Sequence, residues 1–312
     1  MSPASTEQFL LEQYTGHPAS QLQDLRKALY QSVFGCGHLI TDTSAAAEGI
    51  RREAAEAGPC SREIEALDGP WSRVHLGVLA DGLTPETLAC IFARSAAMPH
   101  GDADALQEKL TVLRRLIHSG ALPYSPAEAD AELDDWRKNG FPACHHSDEY
   151  RAAYRPAYRV LHRTYVRLLP LLAAIDRALA ENPRVLLAIE GGAASGKSTL
   201  ADLLTAIYPD TALFHADDFF LRPEQRTAAR YAQPGGNLDR ERLESEILAP
   251  ISRNEVAIYR PFDCHTLSLR EPVTILPGRL NIVEGSYSFH PELAHYYDLS
   301  VFLDISPETQ RS

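Results

Sequence analysis

Two stretches combine residue types suited to phosphate chemistry. "GGAASGKST", Gly191 to Thr199, fits G-x-x-x-x-G-K-[ST], and "FHADDFFL", Phe214 to Leu221, sets Asp217 beside Asp218 at the end of an apolar run. In the first, Gly191, Gly192, Ala193, Ala194, Ser195 and Gly196 carry little or no side chain, so successive backbone N–H groups can surround phosphate oxygens. Lys197 can reach the β and γ phosphates and the Ser198 hydroxyl can ligate Mg²⁺. Thr199 leads into a helical run whose positive dipole end faces the anion. The ligand this pattern predicts is a nucleoside triphosphate, ATP with Mg²⁺. The paired acids read three ways, as metal ligand, as base toward a substrate proton, or as helix cap. A third acid, Glu284 in "NIVEGSY", also closes an apolar run.

These residues need strands to carry them. "VLLAIE", "TALFHA", "LNIVEG" and "LSVFLDI" are short runs rich in aliphatic residues, separated by helical stretches. That alternation predicts an α/β domain over residues 184–312, a parallel sheet with helices on both faces. In such a sheet the carboxyl ends of the strands line the ligand crevice. Asp217, Asp218 and Glu284 therefore belong near the transferred phosphate, with Asp217 as base, Asp218 serving metal waters or capping the next turn, and Glu284 beside Mg²⁺.

Residues 1–180 carry a different texture, and an all-helical domain is predicted there. Ser20 and Gln23 fit a capping box ahead of Leu22, Leu25, Leu29 and Val33. Thr84-Pro85 and Ser125-Pro126 place a cap residue before an N1 proline. Leu106, Leu110, Leu113 and Ile117 form an apolar stripe that Gly120 closes, and Asn139-Gly140 stops the next helix. Asn182-Pro183 breaks the last one and marks the domain boundary. Within this half, Arg151, Arg155, Arg159, Arg163 and Arg167 recur every fourth residue beside Tyr150, Tyr154 and Tyr158, with Pro156 interrupting. The row reads either as a solvated arginine face beside a packing tyrosine face or as an anion site facing the second domain.

Bulk composition narrows the partners. The net charge of −12 argues against a nucleic-acid partner. No apolar run approaches the roughly 18 residues of a membrane helix. The five cysteines, Cys36, Cys60, Cys90, Cys144 and Cys264, lack any CxxC pair and read as reduced thiols of a cytoplasmic protein without a secretory signal. "GCGH" (Cys36, His38) and "ACHHS" (Cys144, His145, His146) are alternatively zinc ligands, though their spacing matches no ligand pattern. The expected partner is a small-molecule acceptor, and self-association into a homo-oligomer is left open.

From Arg184 onward, "GGAASGKST", "ADDFF" and "IVEGSY", in that order, resemble the uridine kinase, phosphoribulokinase and pantothenate kinase group of P-loop kinases. The resemblance implies ATP-dependent phosphorylation of a hydroxyl on a nucleoside, sugar or related alcohol. It implies Asp217 as the base, and Glu284-Gly285 as the pair that helps hold Mg²⁺. "RPFDCH" is similar to the family's acceptor-lining Pro-x-Tyr-Asp segment, with Phe262 in place of Tyr, and implies Arg260, Asp263 and His265 near the substrate. Where uridine kinases carry Asp-His-Pro-Asp, this chain reads "AQPGGNLD". Family members continue into an arginine-bearing lid helix; here Arg311 alone follows the last strand run, so a chain truncated before its lid is expected. Arg222, Arg226 and Arg230 are other cations for that role. Two further readings are a nucleotide-switched regulatory or interaction ATPase and a zeta-toxin-like kinase acting on a sugar nucleotide.

Overall fold

In a computed structural model, which describes residues 3–36, 42–57 and 61–304, helices start where the cap residues stand. The chain divides into two units, Met1–Ala173 and Ala174–Ser312. The first holds α1 (Pro3–Gly16), α2 (Leu22–Phe34), α3 (Thr43–Ala57), α4 (Pro85–Ala96), α5 (Ala103–His118), α6 (Pro126–Lys138), α7 (Asp148–Tyr154) and the short α8 (Arg163–Val166). Thr84 and Ser125 accept hydrogen bonds from the N–H groups of Thr87 and Glu128, with Pro85 and Pro126 in the first turn. The cap of α2 lies one residue later than expected: Asp24 accepts from the Gln21 N–H at 2.9 Å, whereas the sequence suggested Ser20 and Gln23. Leu25, Leu29, Leu88, Ile91, Leu106, Leu110 and Leu113 pack as its core.

The first unit is not all helix, which corrects the expectation. Three strands, β1 (Ile64–Ala66), β2 (Trp71–His75) and β3 (Tyr158–His162), form an antiparallel sheet in the order β1-β2-β3. Hydropathy hides β2 because its buried residues include Ser72 and Arg73. Arg73 is 1% exposed, and polar groups meet it: Gln31 Oε1 at 2.8 Å and Glu65 Oε1 at 3.2 Å. A charge with such partners can sit where an aliphatic residue is expected, although its Nη2 finds no hydrogen-bond partner among the described residues. The arginine row concealed β3. Arg155 takes φ 44° at the end of α7, Pro156 follows, and the chain turns from helix into strand.

Helix α9 (Leu169–Glu181) contains the division between the units, which falls upstream of Asn182-Pro183. Asn182-Pro183 ends a helix, while the residues after Ala173 bind the second unit. Tyr208 donates to Asp176 at 2.9 Å and Arg279 to the Leu179 carbonyl.

In the second unit, β4 (Val185–Gly191) leads into α10 (Lys197–Ile207), then β5 (Thr211–His215). Two small ladders pair β6 (Ala257–Tyr259) with β9 (Val273–Ile275) and β7 (Phe262–Asp263) with β8 (Ser268–Leu269). Then come β10 (Leu280–Glu284) and β11 (Leu299–Leu303), and the parallel sheet runs β11-β4-β10-β5. Leu186, Ala212, Phe214 and Val283 share one face and pack on Leu243, Ile247, Leu248 and Ile251 of the helical stretch after Asp239. Residues of opposite parity, Leu187, Ile189 and Ile282, turn to the other face, and α10 packs on β4, β5 and β10. A parallel sheet flanked by helices fits an α/β NTPase fold. Among the described residues no helix is long and apolar enough to cross a membrane.

Candidate active site

The glycine-rich stretch occupies the turn between β4 and α10. Its first residue, Gly191, has φ 154°, and a Cβ there would meet the Leu303 carbonyl oxygen at 2.5 Å and Ser195 Oγ at 2.7 Å. Glycine is therefore needed where the loop leaves the sheet. Lys197 reaches back across the loop and donates to the Gly192 carbonyl at 2.8 Å. Ser195 Oγ is buried without a hydrogen-bond partner among the described residues. Gly192, Ala193, Ala194, Gly196, Ser198 and Thr199 are exposed, so the loop opens to solvent.

Sheet register brings the acids to this loop. Glu284 ends β10 opposite Ile189 of β4 on one side and His215 of β5 on the other. Gly285 follows, and a Cβ at that position would stand 2.6 Å from Ala216 Cβ. Its absence lets the ends of β10 and β5 close together. Ser198 Oγ then donates to Glu284 Oε1 at 3.2 Å, and His215 Nδ1 donates to the same oxygen at 2.6 Å. Glu284 is 6% exposed. Burial alone would favour its neutral acid, yet the bonds from His215 and Ser198 and the charge of Lys197 hold it below the ordinary carboxylate range. The Glu284 carboxylate raises His215 in turn.

The aspartate pair is asymmetric. Asp217 is exposed just beyond β5 and makes no hydrogen bond or ion pair among the described residues. Asp218 is half-buried; Tyr259 donates to its Oδ2 at 3.3 Å, and burial raises its pKa. Phe219 between the strands and the Arg242 guanidinium (5.1 Å from the ring centroid) fixes the turn. His215 and Tyr259 had no assigned role in the sequence reading. The only signal was position, each standing at the end of a short apolar run.

The other sequence candidates are tied into local structure. Asp263 accepts from the backbone N–H of His265 at 2.8 Å and from Arg270 Nε at 3.3 Å, and the first of these bonds chiefly lowers its pKa. Arg260 donates to the carbonyls of Arg270 at 2.7 Å and Leu269 at 3.0 Å, bracing the β7–β8 hairpin, and His265 is exposed at its turn. Arg222 bonds Gln225 Oε1 at 3.1 Å, Arg226 the Leu221 carbonyl at 3.0 Å, and Arg230 forms a two-bond fork with Glu241. Arg311 lies outside the described residues.

The zinc alternative finds no cluster. Among the described residues no three His, Cys, Asp or Glu side chains stand where one metal could be shared, and His38 lies outside them. Cys36 is buried with its thiol toward the Phe92 carbonyl, and burial pushes it up to about 12. His146 Nδ1 lies 2.8 Å from Asp24 Oδ1, and its Nε2 lies 2.7 Å from the Tyr158 hydroxyl.

One solved structure similar to this chain is that of a possible uridine kinase from Bacillus stearothermophilus. It is 22% identical over 45% of this chain and 84% of that one, with a TM-score of 0.37. No family model and no curated protein matches the chain.

Proposed function

We propose that residues 174–312 form the catalytic unit of an ATP-dependent kinase that moves the γ-phosphate to a hydroxyl of a small metabolite, a nucleoside, sugar or related alcohol. The observation that carries this reading is the meeting of Ser198 and His215 on one buried oxygen of Glu284, beside a glycine-rich loop that opens into α10.

The residues suit both groups the reaction needs. Backbone N–H groups of Gly192 to Lys197, the start of α10 and the unpartnered Ser195 hydroxyl are donors for phosphate oxygens. Among the described residues Lys197 has only the Gly192 carbonyl to give up. Mg²⁺ prefers oxygen ligands and takes few from the protein, which fits Ser198 and an ionised Glu284. When bound, Mg²⁺ neutralises charge on the β and γ phosphates.

The protein's own groups supply the rest. Lys197 places a positive charge at the transferring phosphoryl group. Asp217, exposed and without a competing partner, orients the acceptor hydroxyl and takes its proton as the oxygen attacks in line. Asp218, held by Tyr259, supports the turn that presents Asp217. His215 keeps Glu284 ionised and oriented.

The test is a screen of hydroxylated acceptors for ADP and phosphorylated product. Acceptor-dependent ADP release supports the kinase reading. ADP formed equally fast with no acceptor replaces it with a nucleotide-switched ATPase.

A further inference from the structure

Arg151 and Arg159, eight positions apart in the arginine row, line one cavity although they share no helix. The turn at Arg155 and Pro156 returns the chain along β3 and brings the second arginine back beside the first. The cavity holds about 480 Å³, and all its lining residues belong to the first unit. That volume suits a small ligand.

Its charge is unusual for this protein. Lys27, Arg151 and Arg159 line it against a single carboxylate, Glu53, in a chain whose net charge is −12. Lys27 is half-buried; it donates to the Cys144 carbonyl at 2.9 Å and has no carboxylate within ion-pair distance among the described residues. Burial pushes Lys27 below the ordinary lysine range; Cys144 and the Asp24 carboxylate oppose that effect, while the Arg73 and Arg151 guanidiniums add to it. Arg159 pairs with Glu53 at 2.7 Å and lies 5.8 Å from the centroid of Phe92, which forms an apolar wall. Arg151 pairs only with Asp148, at 2.6 Å on an exposed surface, a bond that competes weakly with a ligand. A half-buried cation such as Lys27, with no carboxylate in ion-pair distance among the described residues, is costly unless an anion joins it.

We propose that this cavity is a second ligand site, which binds a small organic phosphate monoester as its dianion. Lys27, Arg151 and Arg159 hold the phosphate, and Phe92 packs against the carbon skeleton. Three cations facing one lining carboxylate select the dianion over a carboxylate.

The experiment is titration calorimetry of the full chain with phenyl phosphate and with benzoate, which presents the same ring with one charge. Lys197→Ala in every sample weakens the phosphate loop as a competing site. Saturable one-site binding of phenyl phosphate is expected, with benzoate about tenfold weaker. Lys27→Gln and the exposed Arg151→Gln each weaken phenyl phosphate by about tenfold. Glu53→Gln removes the competing carboxylate and tightens binding, a change of sign that misfolding does not produce. Absence of saturable binding, equal binding of benzoate, or indifference to the Arg151 and Glu53 substitutions overturns the proposal.

Discussion

His215 and Glu284 stand opposite each other at the ends of adjacent parallel strands, and Nδ1 meets Oε1 at 2.6 Å. The bond gives a buried carboxylate a donor that keeps it ionised and aimed toward Ser198. A partner that orients a metal-binding carboxylate typically changes metal affinity by about 10- to 100-fold when removed. His215→Ala should therefore raise by about tenfold the Mg²⁺ concentration at which ATP stabilises the protein against heat. Melting temperatures across an Mg²⁺ series at fixed ATP give the answer. An unshifted Mg²⁺ dependence removes His215 from the site.

On the proposed reading, Lys197 contributes to ligand binding and little to the fold. Among the described residues its ammonium makes one hydrogen bond, to Gly192 of an exposed loop. Lys197→Ala should leave unfolding in the absence of ligand within about 0.5 kcal/mol of the parent, while abolishing stabilisation by MgATP. Denaturant unfolding with and without nucleotide separates the two effects.

The aspartates should differ in kind. Asp217 is exposed and unbonded, so Asp217→Asn changes no internal contact and should leave ATP binding intact. Loss of its proposed proton-accepting role should lower transfer by about 10²- to 10⁴-fold. Asp218→Asn retains an oxygen for Tyr259 to donate to, so its loss should be smaller. Single-turnover rates with saturating ATP rank the two, and the reverse ranking moves the base to Asp218.

What the sequence made legible was local. Gly191 to Thr199 fit a motif whose residue types follow from backbone approach to phosphate, and Thr84-Pro85 and Ser125-Pro126 cap helices through bonds within one turn. Glu284 was legible because an acid after an apolar run ends a strand. His215 was not, since its role comes from β5 pairing with β10, sixty-nine positions along the chain. Arg73 hid β2 for the same reason: its partners Gln31 and Gln13 come from other elements. The arginine row misled because periodicity does not reveal that Arg155 adopts a left-handed backbone.

Asp24 and His146 give the first unit a pH-dependent stability. Asp24 binds two helix starts at once, accepting from Gln21 N–H at α2 and from Ser147 N–H and Oγ–H at α7, as well as from His146. His146 is 7% exposed, and burial pulls it down to about 4 from the ordinary 6.5, despite the bond it donates to Asp24, which opposes this. At neutral pH the contact is thus a neutral imidazole donating to a carboxylate. Below about pH 6.5 an unfolded chain takes up a proton on this histidine that the folded chain refuses. Stability is complete above that pH and falls as pH drops toward 4, by an amount on the order of 3 kcal/mol. Asp24, lowered by its own bonds, keeps its contribution until more acidic pH. The two tryptophans of the chain, Trp71 and Trp136, both lie in the first unit, so their fluorescence follows its unfolding in denaturant. The parent should be less stable at about pH 5 than at about pH 7.5, and His146→Gln should shrink that difference. A difference that survives the substitution assigns the pH dependence to other groups.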